Sequence, residues 1–430
     1  MHRIVIVGGG AGGLELATRL GDSLGRTRRA QVTLVDCRPT HVWKPLLHEV
    51  ATGSLDIQVH QIEYAAQARW HHFEFVHGAL DGLDRGAKHL HIAPPAESEH
   101  MMPTRTVEYD TLVLALGSRT HFFGVPGAAE HSIALDTVEQ AERLRQRLLQ
   151  ACVRHSGRHG EGSRTAANVA IIGGGATGVE LAAELRRMEI ELRRFGLHSS
   201  ARDSDIRVTL IEAGPRVLPA LPPEVSATTE ALLARLNIEV SVGDPVTDVS
   251  PHALTTRSGR AIPVDLTIWA AGIKAPDCLA ALDGLPVNRI NQLKVTRTLR
   301  SEADDNVFAL GDCASCSWTD GKMVPPRAQA AHQQALFLAK ALKSRVAGRP
   351  IGEFTYSDYG SLVSLGHVSA VGSLPGALGK NLIVRGFMAK LMYAALYRKH
   401  LAAVSGLRRS LASLAMHALR RVTTPRVKLH

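Results

Sequence analysis

Residues 4–13, IVIVGGGAGG, place an apolar run directly before a glycine-rich loop. The apolar run is typical of a buried strand, and the residues behind the loop follow a helix pattern. In this setting Gly8, Gly10 and Gly13 form the G-x-G-x-x-G pattern of a nucleotide site. The glycines allow a tight turn and let the backbone approach a pyrophosphate at the helix N-terminus. The stretch therefore predicts an α/β domain that binds a dinucleotide.

The same pattern returns in residues 169–178, VAIIGGGATG, with Gly173, Gly175 and Gly178 at the corresponding positions. One such loop is weak evidence, but two in one chain imply that the protein binds two dinucleotides. We expect a flavin and a nicotinamide.

Each loop is followed by a strand that ends in a carboxylate, Asp36 in the first unit and Glu212 in the second. A carboxylate at this position accepts hydrogen bonds from ribose hydroxyls. The spacing from each loop is longer than usual, which we attribute to polar insertions at residues 26–29 and 197–205. The alternative is that both are ordinary exposed acids at strand ends.

Length and composition agree with two nucleotide domains and a further segment. The 430 residues exceed one ordinary domain, and five cysteines indicate a reducing compartment rather than a disulfide framework. The chain enters a strand by Ile4, which predicts that no secretory signal peptide is present. We find no uncharged apolar run of eighteen or more residues, the length that a spanning helix needs.

The net charge of +10 lies entirely in the C-terminal segment. Asp358 is the last acidic residue, and after it the chain carries only basic charges: Lys380, Arg385, Lys390, Arg398, Lys399, Arg408, Arg409, Arg420, Arg421, Arg426 and Lys428. Removing these from the 50 lysines and arginines leaves 39, against 40 acidic residues. A neutral body with a basic tail argues against nucleic acid and for one anionic surface that the tail meets.

The tail is also apolar at helical spacing. Two stripes carry this pattern: Phe387, Met388, Leu391, Met392, Ala394, Ala395 and Leu396, then Val404, Leu407, Leu411, Leu414 and Ala418. Tyr393 and Tyr397 suit an interface. Basic amphipathic helices lie in the plane of a membrane surface and are attracted to anionic lipid. The alternative is a helical hairpin packed on the body or on a second subunit, so a homodimer stays open.

Further motifs show a resemblance to a known family. The chain resembles the two-dinucleotide-binding flavoproteins in three features. These are the two glycine loops, the apolar stretches that end in glycine at residues 111–117 and 266–272, and the late pair Gly311 and Asp312. Residues 41–51, HVWKPLLHEVA, and residues 328–333, AQAAHQ, are more specific. Together with the basic C-terminus they resemble type II NADH dehydrogenase, the NADH:quinone oxidoreductase that does not pump protons.

The resemblance implies an α/β fold with two Rossmann-like domains, the second inserted into the first, and a C-terminal basic amphipathic helical segment that anchors the protein to a membrane. The implied borders are 1–120 and 286–375 for the FAD-binding domain, 121–167 for a connecting helix and linker, 168–285 for the NADH-binding domain, and 376–430 for the anchor. The implied location is peripheral, on the cytoplasmic face of the inner membrane.

The resemblance also implies how the cofactors are held. Gly8, Gly10 and Gly13 would bind the FAD pyrophosphate and Asp36 its adenosine ribose. Lys44, Gly311 and Asp312 would bind the remainder of FAD. Gly173, Gly175 and Gly178 would bind the NADH pyrophosphate. Glu212 would bind the adenosine ribose diol and repel the 2′-phosphate of NADPH, although Arg216 could accommodate that phosphate.

Glu180, Gln329 and Gln333 are the catalytic candidates that the resemblance implies. The counterpart of Glu180 sits near nicotinamide and flavin, although a carboxylate on the first helical turn also suits the helix dipole. Gln329 and Gln333 lie one turn apart on one helix face and could hydrogen-bond quinone carbonyls, unless they form an ordinary polar surface. His332 is a departure from the family, and Lys380 would be either a quinone-side or a lipid-facing lysine.

Two alternatives remain beside this function. A sulfide:quinone oxidoreductase would need cysteines beside the flavin, and Cys152 with Cys313 or Cys316 could supply them. Cys313 and Cys316 otherwise read as packing residues rather than a redox or metal pair, and we expect no metal site. A non-enzymatic NADH-sensing flavoprotein would bind partners through the basic tail, but it would not need the glutamine pair.

Overall fold

The computed structural model of the chain describes residues 1–95, 103–156, 166–194, 206–366, 369–375, 381–406 and 409–410. The predicted insertion at 197–205, Lys380 and the apolar stripe from Leu407 onward lie outside these residues.

The described residues form ten α-helices. They are α1 Ala11–Leu20, α2 Leu47–Ala51, α3 Ile57–His60, α4 Tyr64–His71, α5 Ala128–His131, α6 Val138–Ser156, α7 Ala176–Arg194, α8 Pro223–Arg235, α9 Ala328–Val346 and α10 Phe387–Ser405.

The described strands are two to seven residues long. They are β1 His2–Val7, β2 Ala30–Asp36, β3 Thr40–His41, β4 Ile62–Glu63, β5 Glu74–His77, β6 Ala79–Asp84, β7 His89–Ala93, β8 Arg105–Glu108, β9 Thr111–Leu114, β10 Arg119–Thr120, β11 Ser132–Ala134, β12 Ala167–Ile172, β13 Ile206–Glu212, β14 Ile238–Val242, β15 Val246–Val249, β16 Ala253–Thr256, β17 Ala261–Pro263, β18 Leu266–Trp269, β19 Ile273–Lys274, β20 Leu293–Val295, β21 Val307–Ala309, β22 Ala314–Cys316, β23 Ser361–Leu365, β24 Ser369–Pro375 and β25 Asn381–Arg385.

Two five-stranded parallel sheets form the frame of the described residues. The first has the order β21-β9-β1-β2-β5 and the second the order β11-β18-β12-β13-β14. In each, the strand before the glycine loop lies at the centre, between the acid-ended strand and the strand that precedes Gly117 or Gly272. Both sheets therefore place their loop at the carboxyl edge where open α/β sheets bind nucleotides.

The sequence forms these sheets because the central strands are apolar on both faces. Ile4 to Val7 of β1 are at most 2% exposed, and α1 and α9 contribute Leu14 and Leu338 to the same core. The second core takes Leu144 from α6 and Leu181 from α7. Strands covered on both faces read as continuous apolar runs, which is the pattern of the sequence.

The second unit is inserted into the first. Strand β21, which follows the second unit in the chain, pairs in parallel with β9, which precedes it. The chain crosses between the units in β10 and β19, which pair antiparallel with each other. The predicted fold class of two Rossmann-like domains, one within the other, is confirmed. The second sheet also contains β11, from the segment predicted as a connection, while the domain borders themselves stay predictions.

The C-terminal part of the described chain is an antiparallel sheet, β23-β24-β25, followed by α10. Helix α10 packs against β23 and β24 and reaches α1. Within the described residues, no helix is both long enough and apolar enough to cross a membrane.

Candidate functional site

The two glycine loops have the same local structure. Gly8 and Gly173 adopt φ values of +103° and +112°, a region that favours glycine. A side chain at Gly13 would collide with the Gly8 carbonyl oxygen, and one at Gly178 with the Gly173 carbonyl oxygen. These glycines are thus required for the turn and for close packing of helix on strand.

Each loop is tied to its acid-ended strand through the carboxylate. Asp36 Oδ2 accepts from the backbone N–H of Gly9 at 2.6 Å, and Glu212 Oε2 accepts from that of Gly174 at 2.7 Å. The structure therefore brings both predicted ribose-binding acids to the loops that they were predicted to serve. Burial raises the pKa of Asp36, although its backbone hydrogen bonds oppose the shift.

The middle glycine of each loop faces open space. A Cβ built on Gly10 or Gly175 would meet no protein atom within 4 Å. Since their neighbours in each loop are tightly packed, the room in front of these two glycines is a cradle that a bound pyrophosphate can fill. The residues present therefore fit a dinucleotide at each loop.

Lys44 and Asp312 lie close to one another beyond the first loop. Lys44 Nζ donates to Asp136 Oδ1 at 2.9 Å and to the Ser118 carbonyl oxygen at 2.8 Å. Ser118 Oγ donates to Asp312 Oδ2 at 2.8 Å, and burial raises the pKa of Asp312. Two of the three residues predicted to hold the remainder of FAD, Lys44 and Asp312, thus belong to one polar group around Ser118.

Gln334 holds the turn at Gly311. Its Oε1 accepts from the Gly311 N–H at 2.7 Å, and Gln334 is only 1% exposed. Gly311 itself has a φ of +74°. The sequence reading selected Gln329 and Gln333 on this helix and missed Gln334, whose side chain is directed to the flavin-domain turn.

Glu180 is buried where α2, α7, β23 and α10 meet. Its Oε1 accepts from the Ser364 N–H at 3.0 Å, and its Oε2 lies 3.7 Å from His48 Nδ1. The phenol of Tyr393, on α10, also reaches this carboxyl. His48 is 2% exposed, and among the residues that the structure describes none hydrogen-bonds its Nε2.

Burial keeps Glu180 and His48 uncharged at neutral pH. It raises the pKa of the Glu180 carboxyl to about 8 and lowers the pKa of His48 to about 4. A carboxyl that is protonated at neutral pH can give up a proton, which an ordinary surface glutamate cannot. Glu180 therefore has the property expected of a functional acid, beyond a carboxylate placed for the helix dipole.

Gln329 and Gln333 hold the segment 357–360. Gln329 Nε2 donates to Asp358 Oδ1 and to the Gly360 carbonyl oxygen, both at 3.1 Å. Gln333 exchanges two hydrogen bonds with the backbone of Ser357, at 2.8 and 2.9 Å. This segment runs directly into β23, which binds Glu180 through Ser364. The three catalytic candidates are thus joined through one stretch of chain.

His332 connects α9 to α1. Its Nδ1 lies 2.6 Å from Glu15 Oε2, and Arg19 binds the other carboxyl oxygen of Glu15. Glu15 is fully buried, so this arrangement satisfies a buried carboxylate between two helices of the first unit. The structure gives His332 this packing role.

The comparisons with known proteins agree with this geometry. Residues 2–335 match the family model of pyridine nucleotide-disulphide oxidoreductases. A type II NADH:quinone oxidoreductase from Haemophilus influenzae is 42% identical, with 100% of both chains covered. The solved structure of NDH2 from Plasmodium falciparum in complex with NADH superimposes with a TM-score of 0.80 at 19% identity, covering 95% of this chain and 97% of that one.

The chain belongs to the type II NADH:quinone oxidoreductases. The predicted family is thereby confirmed. The sulfide:quinone oxidoreductase of Aquifex aeolicus shares the fold, with a TM-score of 0.74 at 18% identity over 94% of this chain and 92% of that one, and shows the fold alone.

Three of the five cysteines of this type II NADH:quinone oxidoreductase are buried packing residues, whereas Cys37 and Cys278 are exposed. Cys313 and Cys316 are fully buried, and burial raises the pKa of their thiols to about 12 and about 11. Cys152 is buried in the second core, whereas the other two lie in the first. Thiols of this kind are inert. Within the described residues no three His, Cys, Asp or Glu side chains form a group that could hold a metal ion.

Proposed function

We propose that this protein is an NADH:quinone oxidoreductase that takes a hydride from NADH and passes two electrons to a membrane quinone without pumping protons. The observation that carries the proposal is the pair of equivalent loops, each with an open cradle at Gly10 or Gly175 and a carboxylate bound to the loop backbone. FAD, when bound, supplies the redox chemistry between the two substrates.

In this proposal FAD is held by the first loop together with Asp36, Lys44, Gly311 and Asp312. The second loop and Glu212 hold NADH. Glu212 carries the charge that repels a 2′-phosphate, and Arg216 is engaged elsewhere, since its guanidinium binds Ser226 and the carbonyl oxygens of Leu218 and Pro219. Its engagement supports a preference for NADH over NADPH.

In this proposal the proton and the quinone are handled by three residues, Glu180, Gln329 and Gln333. Glu180 stores a proton in a buried position on α7. This helix begins at Ala176 and has no acidic residue in its first turn, so the first-turn placement predicted from the sequence is wrong. Gln329 and Gln333 hold the segment 357–360 against α9, and their neutral amides are the groups that we propose for contact with quinone carbonyls. These roles rest on burial and hydrogen bonding.

Helix α10 supports a peripheral location on a membrane. Phe387, Met388, Leu391 and Leu396 are exposed, with Phe387 at 78%, while Ala389, His400 and Val404 face the body. A cluster of exposed apolar side chains on one helix beside basic residues suits insertion into an anionic lipid surface. We place that surface on the cytoplasmic face, where NADH is available.

The experiment that tests the function compares two nucleotides and two acceptor conditions. The purified protein should be yellow with FAD and should oxidise NADH only when a short-tailed soluble quinone is present, with NADPH a poor substrate.

Glu212→Gln should reduce the ratio of kcat/KM for NADH over NADPH. The matched control is Glu239→Gln, an exposed acid on the neighbouring strand β14 that pairs with Arg260. A colourless folded protein, or oxidation that does not depend on quinone, contradicts the proposal.

A further inference from the structure

The two glycine loops are bound to their surroundings in the same order, residue by residue. The N–H groups of Gly8 and Gly173 donate to carbonyl oxygens of the acid-ended strands, at 2.8 and 2.7 Å. Those of Gly9 and Gly174 donate to the carboxylates at the ends of these strands. In both loops the carbonyl oxygen of the third glycine accepts from the following helix at 3.1 Å. The loops differ at the carbonyl oxygen of the second glycine.

This carbonyl oxygen is held by backbone in one loop and by side chains in the other. In the second loop the Gly174 oxygen accepts from the Leu218 N–H at 2.7 Å, and Leu218 has a φ of +49°, which residues other than glycine rarely adopt. In the first loop the Tyr64 hydroxyl donates to the Gly9 oxygen at 2.7 Å, and His41 Nδ1 lies 2.9 Å from the same atom. The same atom is therefore satisfied in both loops by unrelated groups.

Tyr64 and His41 are fixed in position by their surroundings. His41 ends β3, which pairs with β4, and Tyr64 begins α4 directly after β4. Both residues are 3% exposed. A Cβ built on Gly9 would collide with the Tyr64 ring, so the phenol lies against the loop backbone without a gap. The pairing of two short strands thus brings two buried donors to one oxygen atom.

His41 donates to the loop through Nδ1. Burial lowers its pKa to about 4, so the ring is neutral at neutral pH and carries one proton. A carbonyl oxygen can only accept, so this proton lies on Nδ1. The other nitrogen, Nε2, then accepts from His400 Nε2 at 2.9 Å. The partners on both sides of the ring thus select one tautomer.

The bonds to the Gly9 oxygen determine where the next N–H points. In a trans peptide the C=O and the N–H lie in one plane and point in opposite directions. Because the Gly9 oxygen is bound by Tyr64 and His41, the Gly10 N–H points away from both. Gly10 is exposed, and no residue that the structure describes accepts a hydrogen bond from its N–H. This N–H is free for a ligand in the cradle.

We propose that Tyr64 and His41 are positioning residues of the FAD site, which orient the Gly10 N–H towards the FAD pyrophosphate by holding the Gly9 carbonyl oxygen. The inference rests on the proposed function and deepens it, because it names residues that prepare the first loop for its cofactor. Hydrogen bonds to a carbonyl oxygen also polarise the peptide group, so its N–H becomes a better donor to an anion. Both residues act on FAD through one peptide group.

The first test measures how fast FAD leaves the diluted holoprotein, by the rise in flavin fluorescence. Tyr64→Phe keeps the ring and removes the donor, and it should speed release by roughly two- to tenfold, the effect of one hydrogen bond. Tyr109→Phe is the matched control, since Tyr109 is also buried in the first core and no described residue hydrogen-bonds its hydroxyl. It should release FAD at the wild-type rate.

His41 allows two substitutions with opposite outcomes. The side-chain amide nitrogen of asparagine occupies the place of histidine Nδ1, whereas that of glutamine occupies the place of Nε2. His41→Asn therefore keeps a donor for the Gly9 oxygen and should retain FAD as the wild type does. His41→Gln loses this donor and should release FAD faster.

Phosphorus NMR of bound FAD separates positioning from a general loss of stability. The pyrophosphate resonances should shift in Tyr64→Phe and His41→Gln, because the donor that faces the phosphate is altered. They should stay in place in Tyr109→Phe and His41→Asn. Thermal unfolding with saturating FAD verifies that each variant is folded. The inference is overturned if Tyr64→Phe releases FAD at the wild-type rate, if the two His41 variants behave alike, or if the resonances move in no variant.

The outcome separates this inference from the proposed function. Faster FAD release and shifted resonances in a protein that does not reduce quinone would reject the function and uphold the roles of Tyr64 and His41. Quinone-dependent NADH oxidation with unchanged FAD release in Tyr64→Phe and His41→Gln would reject the inference alone.

Discussion

At the scale of single residues, the glycines of the two loops differ in what a side chain would meet. At Gly13 and Gly178 a Cβ would strike the backbone of the preceding turn, whereas at Gly10 and Gly175 it would project into open space. The first kind of glycine is required by the fold. The second kind is required only when a ligand occupies the cradle.

Gly175→Ala should therefore weaken NADH binding while FAD stays bound. The added methyl group would enter the space of the pyrophosphate, and overpacking of this kind costs about 1–3 kcal/mol, or roughly 5- to 150-fold in affinity. Titration of NADH by the change in flavin absorbance measures the effect. Gly10→Ala should instead cause loss of FAD, and Gly178→Ala should lower the thermal midpoint. NADH binding of wild-type strength in Gly175→Ala would remove the second loop from the nucleotide site.

Glu180 should make the stability of the protein depend on pH. Its pKa is raised from 4.5 to about 8 in the folded protein, so between these values the folded state holds a proton that the unfolded state has lost. Stability from this group is complete below about pH 4.5 and is lost as the pH rises through about 8, by up to about 1.4 kcal/mol per pH unit. Glu180→Gln cannot titrate and should lack this dependence.

Thermal unfolding of both proteins over a pH series measures the difference. The wild type should lose stability relative to Glu180→Gln as the pH rises across this window. A difference that does not change with pH would mean that Glu180 is charged in the folded protein and is not a proton store.

At the scale of elements, α9 uses three glutamines for two purposes. Gln334 fixes the turn at Gly311, while Gln329 and Gln333 bind the segment 357–360. The helix therefore connects the FAD domain to the stretch of chain that leads to Glu180.

Replacing Gln329 and Gln333 together by Leu should slow quinone reduction and leave flavin reduction by NADH near normal. The change removes the amides and releases the segment 357–360, both on the quinone side of the proposed site. Stopped-flow measurement separates the two half-reactions. Gln334→Leu is the contrasting variant, and it should reduce FAD retention because the buried Gly311 N–H loses its acceptor. If the double variant slowed both half-reactions equally, the two glutamines would be structural.

The sequence predicted those elements whose signals are local. The two loops and their flanking strands follow from apolar runs and glycine spacing within about 30 residues, as in β1, α1 and β2. The insertion of the second domain into the first was implied by the resemblance to the two-dinucleotide-binding flavoproteins. The partners of α10 could not be predicted in this way. His41 and His400 are 359 positions apart, and no periodic pattern relates them.

Other features were missed because helical spacing alone does not fix orientation. Gln333 and Gln334 are adjacent in the sequence, and only packing shows that the second faces the Gly311 turn. Strand β11 has three residues, too few for a periodic signal, so the segment before the second loop read as a connection. The burial of Glu180 likewise depends on β23 and α10, which lie far away in the chain.

At the scale of the whole molecule, α10 faces two ways. Its outer face is apolar and exposed, and its inner face packs against β23, β24 and α1. Deletion of the chain after Asn381 would therefore remove Tyr393 and His400 together with the membrane contact. Surface substitutions test the membrane contact more cleanly than truncation.

Phe387→Ser combined with Leu391→Ser should weaken binding to anionic liposomes by tenfold or more. Each side chain contributes about 1.5–3 kcal/mol on transfer from water to an apolar environment, and both are exposed in the free protein. Sedimentation with liposomes measures binding, and NADH oxidation with a soluble quinone should stay at the wild-type rate. Met323→Ser, an exposed apolar site away from α10, is the control. Unchanged sedimentation of the double variant would contradict a membrane role for this face.

The central claim is that one protein joins NADH oxidation to quinone reduction through a flavin held at the first loop. Anaerobic stopped-flow absorbance tests it most directly. We predict that one equivalent of NADH bleaches the flavin of the purified protein and that one equivalent of a short-tailed quinone then restores the oxidised spectrum, with NADPH acting far more slowly. A flavin that NADH does not reduce, or a reduced flavin that quinone does not reoxidise, would contradict the account.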